Sequence, residues 1–218
     1  MQSEFWHERW ERNQIGFHQQ DINLHLETFW KRLRIAPQAS VFVPLCGKSR
    51  DMLWLRSQGH PVWGVEISPI AVRDFFAEHD LIPTVTQQGK FERWEADGLT
   101  ILLGDFFTLS AEDIAHCAAV YDRASLIALP LDMRAAYVEH LLAILPPVVT
   151  MLLITVAYDQ NVAKGPPFAV YEAEVRGYYE EWFAIEHICT VDAIEDLPGF
   201  RKYGIERLDE HVFLLMPH

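Results

Sequence analysis

Cysteine is scarce in this chain of 218 residues: Cys46, Cys117 and Cys189 lie far apart and are odd in number. That excludes a disulfide framework and suits reduced thiols. With no two cysteines close together, and with His7, His18 and His25 off metal-ligand spacing, it offers no zinc site either. Basic charge is also short, since 18 Lys and Arg against 31 Asp and Glu leave a net charge of −13. Such a field repels phosphate backbones and anionic bilayers, so neither nucleic acid nor a membrane is an expected partner. No basic region followed by an apolar run opens the chain, so a secretory leader is not expected and the cytoplasm is the expected location. The longest apolar stretch, residues 141–158, is broken by Pro146-Pro147, which reads as a helix end, a turn and a buried strand rather than a membrane span. Repeats, low-complexity segments and polar linkers are missing as well, which predicts one domain over residues 1–218.

What is present is the composition of a folded globule, 50% apolar and 22% charged, with seven Trp among its aromatics. Residues 26–33 carry Leu26, Phe29, Trp30 and Leu33 at helical spacing, and the apolar run at 41–45 then ends at Cys46-Gly47. A helical stretch over 49–58 stops at Gly59, and residues 62–65 read as a second strand. After it, Ser68 and Pro69 supply an N-cap and a first helical residue. Residues 91–94 and 99–103 predict a hairpin around the turn Glu95-Ala96-Asp97-Gly98. Residues 118–121 predict a strand, 132–145 a helix, and 148–157 a long strand at the centre of the sheet. A helix near 171–180 and two strands, 182–191 and 211–216, close the chain. Alternating strands and helices predict an α/β, doubly wound, mostly parallel sheet with antiparallel strands at the C-terminus.

Ligands of such sheets bind beyond the carboxyl ends of the strands, and four groups fall there. Gly47-Lys48-Ser49 imitates a triphosphate-binding loop, but Phe42 stands where that loop needs glycine, and no Gly-x-Gly-x-x-Gly run is present. The Gly47 turn therefore suits a ligand without phosphate. Glu66 can accept two hydrogen bonds from a ribose diol, which points to an adenosine-type cofactor. Asp105 and Phe106 could hold an adenine edge and face, and Arg123 could neutralise a carboxylate or an anionic nucleophile, unless it only forms a surface ion pair with Asp122 or another nearby acid. Trp6 and Trp10 share a helix face, with Phe17 following a break at Gly16. Ahead of the first strand, they suit a helical lid over residues 1–35. Cys46 has no histidine near it in sequence and reads as a small turn residue rather than a nucleophile.

The segments Trp6-His7-Glu8-Arg9-Trp10, Gly16-Phe17-His18-Gln19, Val43-Pro44-Leu45-Cys46-Gly47-Lys48, Gly64-Val65-Glu66-Ile67-Ser68, Tyr121-Asp122-Arg123 and Gly165-Pro166-Pro167-Phe168 occur in this order along almost the whole chain. In that order they resemble the thiopurine S-methyltransferase family, in its bacterial branch. The resemblance implies a class I methyltransferase fold that uses S-adenosylmethionine, held at positions matching Trp10, Leu45, Glu66 and Arg123, with no metal. It implies methyl transfer to the sulfur of thiopurines and related aromatic thiols by in-line displacement, a positioning mechanism. Phe17, Arg123, Tyr158 and Arg201 are the substrate-side candidates. Arg201 stands in for an arginine that better-known members carry near their C-terminus, in a segment, 196–201, that aligns only with a gap. Selenium or tellurium compounds as main acceptors, a non-catalytic adenosine-binding module and a purely structural protein are the alternatives. The charge and the lack of a heptad predict a monomer.

Overall fold

The computed structural model describes residues 3–16 and 18–218. Helix α1 (Ser3–Glu11) and the short α2 (Leu24–Phe29) precede strand β1 (Ser40–Val43). There follow α3 (Asp51–Ser57), β2 (Val62–Glu66), α4 (Pro69–Glu78), the strands β3 (Thr84–Gln88), β4 (Phe91–Ala96) and β5 (Leu99–Leu103), the single-turn α5 (Ala111–Ile114) and β6 (Cys117–Arg123). Helix α6 (Leu131–Ile144), β7 (Thr150–Ala157), α7 (Glu172–Tyr179), β8 (Phe183–Asp192) and β9 (Asp209–Pro217) complete the chain. Ser68 caps α4 by accepting from the Ala71 N–H, and Pro69 fills the first turn, where a missing N–H has no intrahelical partner to lose.

The strands form one sheet in the order β3-β4-β5-β2-β1-β6-β7-β9-β8. From β5 through β7 they run parallel, while β4 is antiparallel to β3 and β5, and β9 is antiparallel to β7 and β8. Side chains alternate between two cores, as the period of two in a strand requires: Val41 and Val43 face one, Phe42 the other. The first core takes Leu55 of α3 and Phe75 of α4; the second takes Tyr137 and Leu141 of α6 and Tyr179 of α7. Helices thus cover both faces of a parallel sheet centre.

Three expectations are corrected. Strand β7, expected at the centre, is seventh of nine, although every residue after Thr150 is buried; β1 holds the middle. Glu95 and Ala96, expected in the hairpin turn, belong to β4. The turn is only Asp97-Gly98, both at positive φ, the geometry that a two-residue hairpin loop demands. Strand β3 was not foreseen, because it sits at the sheet edge and its polar Thr-Val-Thr-Gln-Gln run buries almost nothing. No helix among the described residues is long and apolar enough to cross a membrane.

Candidate active site

Connections leave β1 toward β2 and β5 on one side, and β6 leads to β7 on the other. The point between β1 and β6 is where a crevice opens in a doubly wound sheet. A cavity of about 1160 Å³, counting its open mouth, lies there at the ends of β1, β2, β6 and β7. Backbone strain marks its rim: Leu45 and Ala124, neither of them glycine, have φ of 43° and 75°. Such conformations cost about 1–3 kcal/mol each and persist only where the surroundings enforce them. Here the Cys46 N–H donates to Val65 O at 3.0 Å and the Ser125 hydroxyl to Pro44 O at 2.7 Å, pinning both turns. Gly64 lies beneath, since a Cβ there would come within 2.6 Å of Cys46 Sγ. Burial and the charge of Glu66 push the Cys46 thiol well above its usual range, so the group is not a thiolate nucleophile.

Glu66 is 6% exposed at the end of β2. Its Oε2 accepts from the Gly47 N–H at 2.8 Å and its Oε1 from the Ser68 N–H at 2.7 Å. Burial raises its pKa, and the backbone hydrogen bonds act against that shift. Each oxygen keeps acceptor capacity for one further donor, which fits the two hydroxyls of a ribose. Gly47 has φ of 53°, and the Trp10 ring lies 3.5 Å from where its Cβ would stand, so α1 rests directly on the turn.

Arg123 does not pair with Asp122. Along β6 that residue faces the opposite core, where it accepts from the Tyr137 hydroxyl at 2.7 Å. Arg123 instead places Nε 3.0 Å from Asp51 Oδ2, an ion pair without an aligned hydrogen bond, and donates from a terminal nitrogen to Gln19 Oε1 at 2.8 Å. Asp51, 1% exposed in the first turn of α3, also accepts from the Tyr121 hydroxyl and the Asn23 N–H, both at 2.9 Å. It ties strand end, helix start and N-terminal segment into one network. Sequence reading passed over Asp51, because only the fold brings residues 23, 51, 121 and 123 together.

Of the expected site residues, Trp10, Leu45, Gly47, Glu66 and Arg123 line the cavity. Asp105 and Phe106 are not on its wall. Asp105 is exposed and accepts from the Phe107 N–H in its own turn, and the Phe106 ring packs 4.8 Å from that of Tyr137 in the core. Tyr158 is buried behind the wall and donates to Pro167 O at 2.6 Å. Arg201 is exposed and pairs with Glu195, away from the cavity. Phe17 lies outside the described residues. The lining also includes the apolar residues Trp6, Ile127, Ala128, Ile154, Val156, Pro166, Pro167 and Leu197. Lys48 and Glu210 add charge and His18 adds an imidazole; Lys48 pairs with Glu78 at 2.6 Å, and Glu210 with His25 at 2.9 Å. The Pro166-Pro167 step was visible in the sequence, whereas Ile154 and Val156 look like any strand residues. No group of three or more His, Cys, Asp or Glu among the described residues is placed to hold a metal ion.

The architecture is that of the S-adenosylmethionine-dependent methyltransferases. A solved member from Anabaena variabilis superimposes with a TM-score of 0.65 at 14% identity, over 99% of this chain and 95% of its own. One from Geobacter sulfurreducens, in complex with S-adenosyl-L-homocysteine, gives 0.62 at 17% identity over 90% and 92%. Within that class the sequence is specific: the profile of the family described as "Thiopurine S-methyltransferase (TPMT)" matches residues 1–217. The "Thiopurine S-methyltransferase" of Nitrosospira multiformis is 50% identical over 216 residues, 99% of this chain and 98% of the relative. The chain belongs to the thiopurine S-methyltransferase family.

Proposed function

We propose that the chain binds S-adenosylmethionine at the ends of β1, β2 and β6 and transfers its methyl group to the sulfur of thiopurines and related aromatic or heterocyclic thiols. The observation that carries this reading is Glu66, whose two oxygens each hold one backbone N–H and keep one position for a ribose hydroxyl. The Gly47 turn lets a ligand approach the backbone, and Trp10 closes over it. When bound, S-adenosylmethionine supplies an electrophilic methyl on a sulfonium. The chain supplies position: Leu45 and Gly47 line the cavity beside Glu66, and the apolar lining residues Ile127, Pro166, Pro167 and Leu197 suit an aromatic acceptor. Holding two reactants in line is worth up to about 7–11 kcal/mol of barrier. Trp6 and Trp10 exclude water, which favours a step in which thiolate and sulfonium become two neutral products. Arg123, partly balanced by Asp51, faces the cavity as a fixed cation for a carboxylate or a thiolate.

This reading takes residues 1–218 as one domain, with residues 1–35 as its lid, acting as a cytoplasmic monomer. The lid is supported by Trp6, Trp10, His18 and Gln19 on the cavity wall. Calorimetric titration with S-adenosylhomocysteine, followed by a thiopurine methylation assay on the same sample, tests the proposal. Binding with turnover supports it. Binding without turnover moves the acceptor to selenium or tellurium compounds or leaves a binding module, and absence of binding removes the cofactor assignment.

A further inference from the structure

The titratable groups on the cavity wall are nearly all committed. Both oxygens of Glu66 accept backbone N–H groups, Glu210 is paired with His25, and Lys48 with Glu78. Arg123 stands on Asp51, and the Cys46 thiol is buried and protonated. His18 is different. Its ring, half-buried on the N-terminal segment, lines the cavity and makes no hydrogen bond or ion pair among the described residues. The charged groups facing it are Lys48 after β1, Arg50 before α3, Arg123 at the end of β6 and Glu78 at the end of α4. Burial and the three cations outweigh Glu78 and hold the imidazole below its ordinary pKa, hence neutral with a free lone pair at neutral pH.

We infer that His18 is the general base for acceptor thiols that reach the cavity un-ionised. The inference rests on the methyltransferase reading above. A ring nitrogen of His18 takes the thiol proton as the S–H bond breaks, and the freed sulfur pair forms the bond to the methyl group. The old methyl–sulfonium bond breaks with its electron pair left on the departing neutral thioether. The imidazolium returns its proton to water once the cavity opens. An acceptor already ionised in solution needs none of this, so His18 divides acceptors by their acidity.

The test compares wild type and His18→Gln with a benzylic thiol, protonated at neutral pH, and a nitroaryl thiol, ionised there. A positioned base contributes about 10²–10⁴-fold. The variant should therefore lose at least a hundredfold in kcat with the benzylic thiol, and at least tenfold less than that with the nitroaryl thiol. Wild-type kcat/KM for the benzylic thiol should fall on the acid side as His18 protonates and level off above; the variant should instead gain tenfold per pH unit up to the pKa of the thiol itself. A readout on wild type alone needs no turnover. With S-adenosylhomocysteine bound, the ¹⁵N shift of the accepting His18 ring nitrogen should move as it takes a hydrogen bond from the benzylic thiol at neutral pH, and not when the methyl thioether is added. Equal losses with both thiols, parallel pH profiles or unmoved shifts would overturn the inference. Failure of wild type to methylate either thiol would sink the parent reading, and is told apart because it appears before any variant is made.

Discussion

Replacing Glu66 tests the cofactor end of the cavity. Its carboxylate takes one backbone hydrogen bond per oxygen, at 2.7 and 2.8 Å, and leaves one acceptor site on each. In Glu66→Ala a bound ribose loses both partners in a buried setting, at a cost of about 1–3 kcal/mol. At 1.4 kcal/mol per decade, S-adenosylhomocysteine should bind about 5- to 150-fold more weakly by calorimetry. Acidity adds a second readout. Burial raises the pKa of Glu66 in the free protein. Its contribution to folding is thus full below the ordinary carboxylate value and lost as pH rises through the raised one. Ribose hydroxyls favour the ionised form, so binding lowers that pKa. Affinity should be complete above the raised value and should fall as pH drops through it, beginning above the ordinary carboxylate range. Glu66→Gln, which cannot ionise, should lack this dependence. Unchanged affinity in a folded Glu66→Ala protein, or the same acid-side loss in Glu66→Gln, would refute the argument.

Other perturbations probe the frame. Asp51→Ala strands the Arg123 charge and leaves the Tyr121 hydroxyl and Asn23 N–H without their acceptor, so urea unfolding should show a loss of about 3–5 kcal/mol, and a loss under 1 kcal/mol would count against the network. Gly64→Ala pushes a methyl to 2.6 Å from Cys46 Sγ, which should cost about 1–3 kcal/mol of stability and weaken S-adenosylhomocysteine binding by shifting the Gly47 turn; wild-type affinity would show that the turn does not respond. Cys46 and Cys117 are buried, with the Cys117 thiol pushed up to about 12, so a disulfide reagent at neutral pH should leave both unmodified in the native protein while modifying all three cysteines after denaturation.

Local signals were legible where a short stretch decides its own geometry. Ser68-Pro69 announces a helix start and Gly59 a stop, and the ends of β1, β2 and β6 could be placed from apolar runs closed by Gly47, Glu66 and Arg123. Strand order was less legible, since the length and apolarity of β7 report burial on both faces and not position in the sheet. Phe106 shows the limit for site residues: a ring just beyond a strand end can turn to the cavity or to the core, and here Tyr137, 31 positions later, offers the core. Likewise the partner of Arg123 is not its neighbour Asp122 but Asp51, because alternation along β6 sends adjacent side chains to opposite faces. Arg201 entered through resemblance in a segment of altered length, and the fold turns it to Glu195 at the surface.

The most direct measurement follows the methyl group itself. The protein is incubated with S-adenosylmethionine carrying a ¹³C-methyl and with a thiopurine, which offers ring nitrogens as well as sulfur, and the product is identified by NMR. The account predicts an S-methyl thioether formed in equal amount with S-adenosylhomocysteine. Label on a ring nitrogen, or no transfer from a cofactor that binds, would contradict it.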